Sequence, residues 1–174
     1  MTAARQERKP RRFRAVLAVI STAAALSAGL LAGLTGIAAA GATTEWVVVN
    51  RTTGLAIDGF DPVAYFIDGA PKQGRAELEL NAAGAVWRFR NPGNRSAFAA
   101  DPGVYAPRFG GHDPMAVARG AATPGHPALW LIAEQRLFLF YSEEARAAFS
   151  RDPDSAIEAA ERNWPSVQRG LVRN

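Results

Sequence analysis

The chain contains no cysteine, which excludes disulfides, thiolate metal sites and cysteine nucleophiles together. The lack of a free thiol also fits an oxidising compartment. Histidine is scarce: His112 and His126 are the only two in 174 residues. No G-x-S-x-G, H-E-x-x-H, P-loop or dinucleotide fingerprint occurs, so the enzyme classes defined by those motifs find no support. Basic excess is missing from most of the chain. The net charge is +4, but residues 1–42 carry six basic side chains (Arg5, Arg8, Lys9, Arg11, Arg12 and Arg14) against Glu7 alone. The remainder holds 14 basic and 15 acidic residues, and has no electrostatic footprint for nucleic acid.

Charge is also absent from Ala15 through Thr44. A basic cluster, a long apolar run and then small residues is the layout of an export signal. Ala38-Ala39-Ala40 and Ala40-Gly41-Ala42 both fit small-x-small cleavage sites. The run is also long enough to span a bilayer, which takes roughly 20 residues. Residues 1–42 are therefore read as a signal peptide or a membrane anchor, and residues 43–174 as an exported, periplasmic domain. That domain is soluble after cleavage or held at the inner membrane, and it meets the membrane only through the N-terminal segment.

What the remainder does have is a stretch written twice. Trp87, Phe89, Arg95, Phe98 and Asp101 are matched at a constant offset of 51 by Phe138, Phe140, Arg146, Phe149 and Asp152. Upstream, Gly59-Phe60-Asp61-Pro62 is matched by Gly111-His112-Asp113-Pro114 at an offset of 52. The pattern indicates an internal duplication over 59–102 and 111–153.

The same order of elements is expected in both copies. Asp61-Pro62 and Asp113-Pro114 each open a short helix, with Asp as cap and Pro at the first position. Residues 76–80 and 85–90 alternate as strands of a hairpin, and 128–132 and 136–141 form a second hairpin. Asn91 and Ser142 cap the following helices, and Asp101-Pro102 and Asp152-Pro153 stop them. The second hairpin is more continuously apolar, which predicts a place nearer the middle of a sheet. A strand at 45–49, a loop at 103–111 and a final helix at 156–163, capped at Asp154-Ser155 and closed by Trp164-Pro165, complete the expectation. The fold class is α+β: two pseudo-symmetric hairpin-plus-helix units share one antiparallel sheet, with a C-terminal helix and an N-terminal signal or anchor helix. One unit alone has too little core to be stable.

Gly59-Phe60-Asp61-Pro62-Val63-Ala64-Tyr65-Phe66, Trp87-x-Phe89, Phe98, Asp101-Pro102, Tyr105-x-Pro107 and Gly110-Gly111 resemble the exported YHS-domain proteins of bacteria. Leu129-Trp130, Leu137-Phe138-Leu139 and Trp164-Pro165 fit the same family, so the resemblance covers roughly residues 46–170. Metal-handling YHS domains carry cysteines, which implies heavy-metal binding for them. Here Ala64 and Arg95 stand near the positions where those cysteines are expected, and Asp113 stands where the exported family often has a cysteine two residues after Gly-Gly. The thiolate function therefore does not carry over, and what remains is the scaffold.

The candidate site residues each have a chemical reading and a plainer one. His112, Asp113 and His126, with Met115 nearby, have the ligand types for a divalent metal such as copper or zinc, and His112 has the makings of a base oriented by Asp113. The plainer reading makes Asp113 a helix cap and His112 a loop residue where the first copy has Phe60. Asp61 pairs with Asp113 by the repeat, as a cation-binding carboxylate pair or as two caps. Arg95 and Arg146 form an anion clamp or two local ion pairs. The leading expectation is a non-enzymatic domain that binds a small ligand, a metal ion or a protein partner. A metal protein using His and Asp ligands, and an enzyme with its site in the 103–127 loops, are the alternatives.

Overall fold

A computed structural model describes residues 45–171. The expected signal or anchor at 1–42 lies outside them. Among the described residues no helix is long and apolar enough to cross a membrane.

The architecture is α+β. A one-turn helix α1 (Ala64–Ile67) leads into the hairpin β1 (Arg75–Ala82) and β2 (Ala85–Phe89), followed by α2 (Pro92–Ala100) and a single turn α3 (Pro102–Tyr105). The second half runs α4 (Pro114–Val117), β3 (His126–Ala133), β4 (Arg136–Phe140) and α5 (Glu143–Arg151), and the chain ends in α6 (Pro153–Arg169).

Local chemistry repeats between the halves. Asn91 accepts a hydrogen bond from the Asn94 N–H, and Ser142 accepts one from the Ala145 N–H, so α2 and α5 start on equivalent side-chain caps. Asp101 caps α3 through Val104, and Asp152 caps α6 through Ser155. Both hairpins carry a register shift at matching points, between Arg75 and Glu79 and between His126 and Trp130. Each turns through two residues with positive φ, Ala83-Gly84 and Glu134-Gln135, the geometry that matches strand twist.

Gly74 and Gly125 show why the hairpins begin as they do. A Cβ on Gly74 would lie 2.5 Å from the Arg88 backbone, and one on Gly125 would lie 2.6 Å from the Leu139 Cβ. The incoming chain runs against the return strand at a separation that admits no side chain.

The two hairpins do not share a sheet. They are separate two-stranded sheets, β1-β2 and β3-β4. The outer edge of β2 is instead engaged by the preceding chain, where Ala56 N–H donates to the Val86 carbonyl at 2.9 Å and Leu55 bridges to Val86. The halves meet through side chains. Leu137 and Leu139 of β4 join Val63, Tyr65, Trp87, Phe89 and Phe98 in one buried cluster. Phe138 and Phe140, on the other face of β4, join Phe109, Val117, Phe149, Ile157 and Ala160 in a second. The continuous apolar run of β4 thus places it between two cores and not in the middle of one sheet. Phe98 packs on Trp87 and Phe89 at centroid distances of 4.9 and 5.3 Å, and Phe149 packs on Phe138 and Phe140 at 5.1 Å each.

Three further expectations are corrected. Residues 45–49 form isolated bridges and bends, not a strand. The 103–111 stretch is not a loop: it holds α3 and a 3-10 turn at Arg108–Gly111. The last helix begins one turn earlier, on Asp152-Pro153, and passes through Pro165 to Arg169. Pro165 is exposed, so the carbonyl one turn before it, left without an N–H, is not forced into a dry environment.

Candidate functional site

The site residues hang on two corners where the chain turns from a left-handed stretch into Asp-Pro: Asp113-Pro114 caps and starts α4 as expected, whereas Asp61-Pro62 lies in a turn ahead of α1, which starts at Ala64 with no side-chain cap. Ile57, Asp58 and Gly59 have φ of 43, 53 and 76°, and Phe109, Gly110 and Gly111 have 54, 62 and 88°. Positive φ is costly for a β-branched residue such as Ile57. It is held there because Ile57 and Phe109 are both buried in the cores. After each corner the same bonds follow. Asp61 N–H donates to the Lys72 carbonyl and Asp113 N–H to the Thr123 carbonyl, both at 2.8 Å. Gly74 N–H reaches the Gly59 carbonyl and Gly125 N–H the Gly111 carbonyl, both at 2.9 Å.

Both carboxylates are buried and spent on this framework. Asp61 Oδ1 accepts from Val63 N–H at 2.9 Å, and Oδ2 accepts from Arg90 N–H at 2.8 Å and from Asn94 Nδ2 at 2.6 Å. Asp113 Oδ1 accepts from Met115 and Ala116 N–H at 2.7 and 3.2 Å, and Oδ2 accepts from Tyr141 N–H at 2.8 Å. Each side chain ties its corner to the residue just after its own hairpin and to the chain that follows the corner, Asp113 to the first turn of α4 and Asp61 to Val63 just ahead of α1. Every oxygen already has a donor, so a cation at either carboxylate would have to displace backbone hydrogen bonds.

His112 replaces Phe60 at the second corner and is fully buried. Its Nε2 lies 2.9 Å from the Glu45 carbonyl oxygen. A carbonyl only accepts, so Nε2 carries the hydrogen and Nδ1 is a bare lone pair. Nδ1 has no hydrogen-bond partner. The ring sits 5.9 Å from that of Trp164. Burial pushes the His112 imidazole below its usual value, against the opposite pull of the Glu45 carbonyl and carboxylate. Asp113 does not orient it, because the Asp113 oxygens are turned to Met115, Ala116 and Tyr141. The pair is therefore neither mutually bonded nor open to solvent.

His126 is exposed, and its Nδ1 accepts from Ala128 N–H at 3.1 Å. Among the described residues no three His, Asp or Glu side chains gather into a metal-holding group. Arg146 is half-buried and pairs with Glu143 one turn before it at 2.6 Å. Arg95 is exposed and takes part in no ion pair among the described residues. The two arginines thus differ in environment despite matching in sequence.

Four further contributors lie outside the candidate residues. Asn94 completes the shell of Asp61 from 33 residues away; its counterpart Ala145 has no side-chain amide, and nothing in the sequence marks the difference. Tyr65 lies under the first corner, donates to the Pro127 carbonyl at 2.9 Å and meets Trp130 edge to face at 5.3 Å. Burial pushes its phenol well above the usual range, so it remains a donor. Gly74 and Gly125 agree at the offset of 51, and that identity is the signal that marks them. No protein-family model matches the chain, and no curated protein or solved structure matches it.

Proposed function

We propose that residues 43–174 form an exported YHS-type domain, built by internal duplication, that works as a non-enzymatic binding module. One observation carries this reading: Asp61 and Asp113, the residues best suited to chemistry, have all four carboxylate oxygens occupied by the scaffold they hold up. The matched caps, corners, bulges and close glycines support the duplication. The resemblance at Gly59–Phe66, Trp87–Phe89 and Gly110-Gly111 supports the family. The basic cluster and uncharged run at 5–44 support export, with the domain soluble in the periplasm or tethered at the inner membrane.

Two measurements test it. A periplasm-active reporter fused after residue 171 is expected to be active; inactivity would remove the export reading. Protein recovered from the native compartment is expected to hold less than stoichiometric copper or zinc. A one-to-one metal content that disappears in both His112→Phe and Asp113→Asn, with the fold retained by circular dichroism, would replace the scaffold reading with a metal site.

A further inference from the structure

Each hairpin has one strand whose only strand partner is its own hairpin mate and whose outer edge is open, β1 in the first half and β3 in the second. The tight turn Glu134-Gln135 makes Ala133↔Arg136 a hydrogen-bonded pair, and bonded and non-bonded pairs alternate along an antiparallel ladder. Leu131↔Phe138 is then bonded too, and the N–H and carbonyl groups of Trp130 and Ile132 point away from β4. The same count on the first hairpin turns Glu79 and Asn81 outward on β1 and Val86 outward on β2, and the Val86 carbonyl does accept from Ala56. Among the described residues no other strand or isolated bridge pairs with β3.

Open edges are normally guarded by charge. β1 is guarded, since Arg75, Glu77, Glu79 and Asn81 are all exposed. The residues 51 positions after Glu79 and Asn81 are Trp130 and Ile132, and no charged side chain lies between Ala128 and Ala133. The contact with Tyr65 accounts for Trp130. Ile132 belongs to neither core and is 38% exposed. Leu129, Leu131 and Ala133 pack on the second core yet stay half-exposed, where Leu137 to Phe140 of β4 are all buried. We propose that β3 is a self-association edge, which pairs antiparallel with β3 of a second copy about a two-fold axis at Leu131, Trp130 of each copy facing Ile132 of the other.

A second copy fits this edge for three reasons. The register satisfies the outward groups of Trp130 and Ile132 in both copies at once, as an isologous contact must. It sets an aromatic ring against a β-branched side chain, a favourable cross-strand pair. It also places Glu134 opposite Ala128, so no like charges meet. β1 is the poorer partner, because it would bring Glu79 and Asn81 against Trp130 and Ile132. The irregular step between His126 and Trp130 lies ahead of the paired residues and leaves them in regular register. The pairing merges two two-stranded sheets into one of four strands, which two strands alone cannot match in stability. It rests neither on the export reading nor on what else the domain binds.

The chain has no cysteine, so one introduced thiol reports on one place. Leu131 faces its own copy in a non-hydrogen-bonded pair, where a Cα separation of about 4.5 Å suits a disulfide. In the full-length chain produced in its native compartment, Leu131→Cys is expected to form a disulfide-linked dimer with oxidised glutathione as oxidant. Leu80→Cys, the counterpart on β1, is expected to stay monomeric. Sedimentation of the full-length chain in mild detergent is the second measurement. Ile132→Lys is expected to weaken the dimer about tenfold or more, through loss of two cross-strand pairs, and Asn81→Lys to leave it unchanged. The proposal is overturned if Leu131→Cys, folded by circular dichroism, links to a different protein or to nothing, or if Leu80→Cys dimerises equally. It is also overturned if Ile132→Lys and the unaltered chain sediment alike, or if Asn81→Lys weakens the dimer as much. If Leu131→Cys does not fold, the sedimentation comparison decides.

Discussion

β2 and β4 hold equivalent places in the two halves, yet they are buried differently. In β2, Ala85, Trp87 and Phe89 point into the first core while Val86 and Arg88 lie on a half-wet face. In β4, Leu137 and Leu139 enter that same first core and Phe138 and Phe140 enter the second, so four consecutive residues are buried. The alternation of β2 and the unbroken apolar run of β4 record this. A strand with one wet face alternates, and a strand with none does not. Similar local patterns have thus been fitted to unequal tertiary roles, and the halves are alike in their corners and caps more than in their cores.

The largest expected effects probe the likeness. Asp61→Ala leaves three N–H donors without an acceptor and Asp113→Ala leaves two, since the Ala116 N–H keeps its bond to the Asp113 carbonyl, and each is expected to cost about 3 kcal/mol or more in urea unfolding. Matched losses would sustain the equivalence of the corners. A loss under about 1 kcal/mol at either would mean that its carboxylate is not a scaffold element. The next substitution probes the unlikeness. Asn94→Ala removes a short hydrogen bond to the Asp61 carboxylate and is expected to cost about 1.5–3 kcal/mol. The first half should show this sensitivity alone, since the second half already has Ala145 at that position. The smallest effects concern the arginines. Arg95→Ala and Arg146→Ala are each expected to shift stability by no more than about 0.5 kcal/mol, with the Arg146 change shrinking in high salt and the Arg95 change not. A large, salt-sensitive cost at both would restore the anion clamp.

The second corner also adds a pH dependence that the first lacks. The unfolded chain protonates His112 near the ordinary histidine value of about 6.5, while the folded chain resists until lower pH. Between those points the unfolded state binds more protons. The stability contributed by neutral His112 is therefore complete above about pH 6.5, is lost as pH falls toward the folded-state value, and levels off below it. Phe60 makes no such contribution.

Local features were the most legible in the sequence. Asn91 and Ser142 are caps because each has a side-chain oxygen just before a helical stretch, and both bond the N–H three residues on. Trp87 and Phe89 alternate with arginines and point inward. Asp152-Pro153 misled because the pair that ends one helix is also a good start for the next. Residues 45–49 misled because β-branched residues favour an extended chain but do not supply a partner edge. The division of β4 between two cores, and the edge of β2 taken by Leu55-Ala56, depend on where distant segments settle. The candidate site was legible as a list of residues and not as an arrangement. Asp61, His112 and Asp113 are indeed distinctive, but only the folded bonds to Arg90, Tyr141 and Glu45 show that they are tied to backbone.

The double burial of β4 sets a timetable for biosynthesis. Trp87, Phe89 and Phe98 complete their surroundings only when Leu137 and Leu139 arrive, roughly 50 residues later. At translation rates of about 5–20 residues per second that delay is on the order of 3–10 seconds. During it, the first hairpin and α2 have aromatic faces with no cover. The first core is thus completed only after residues of the second half have been made.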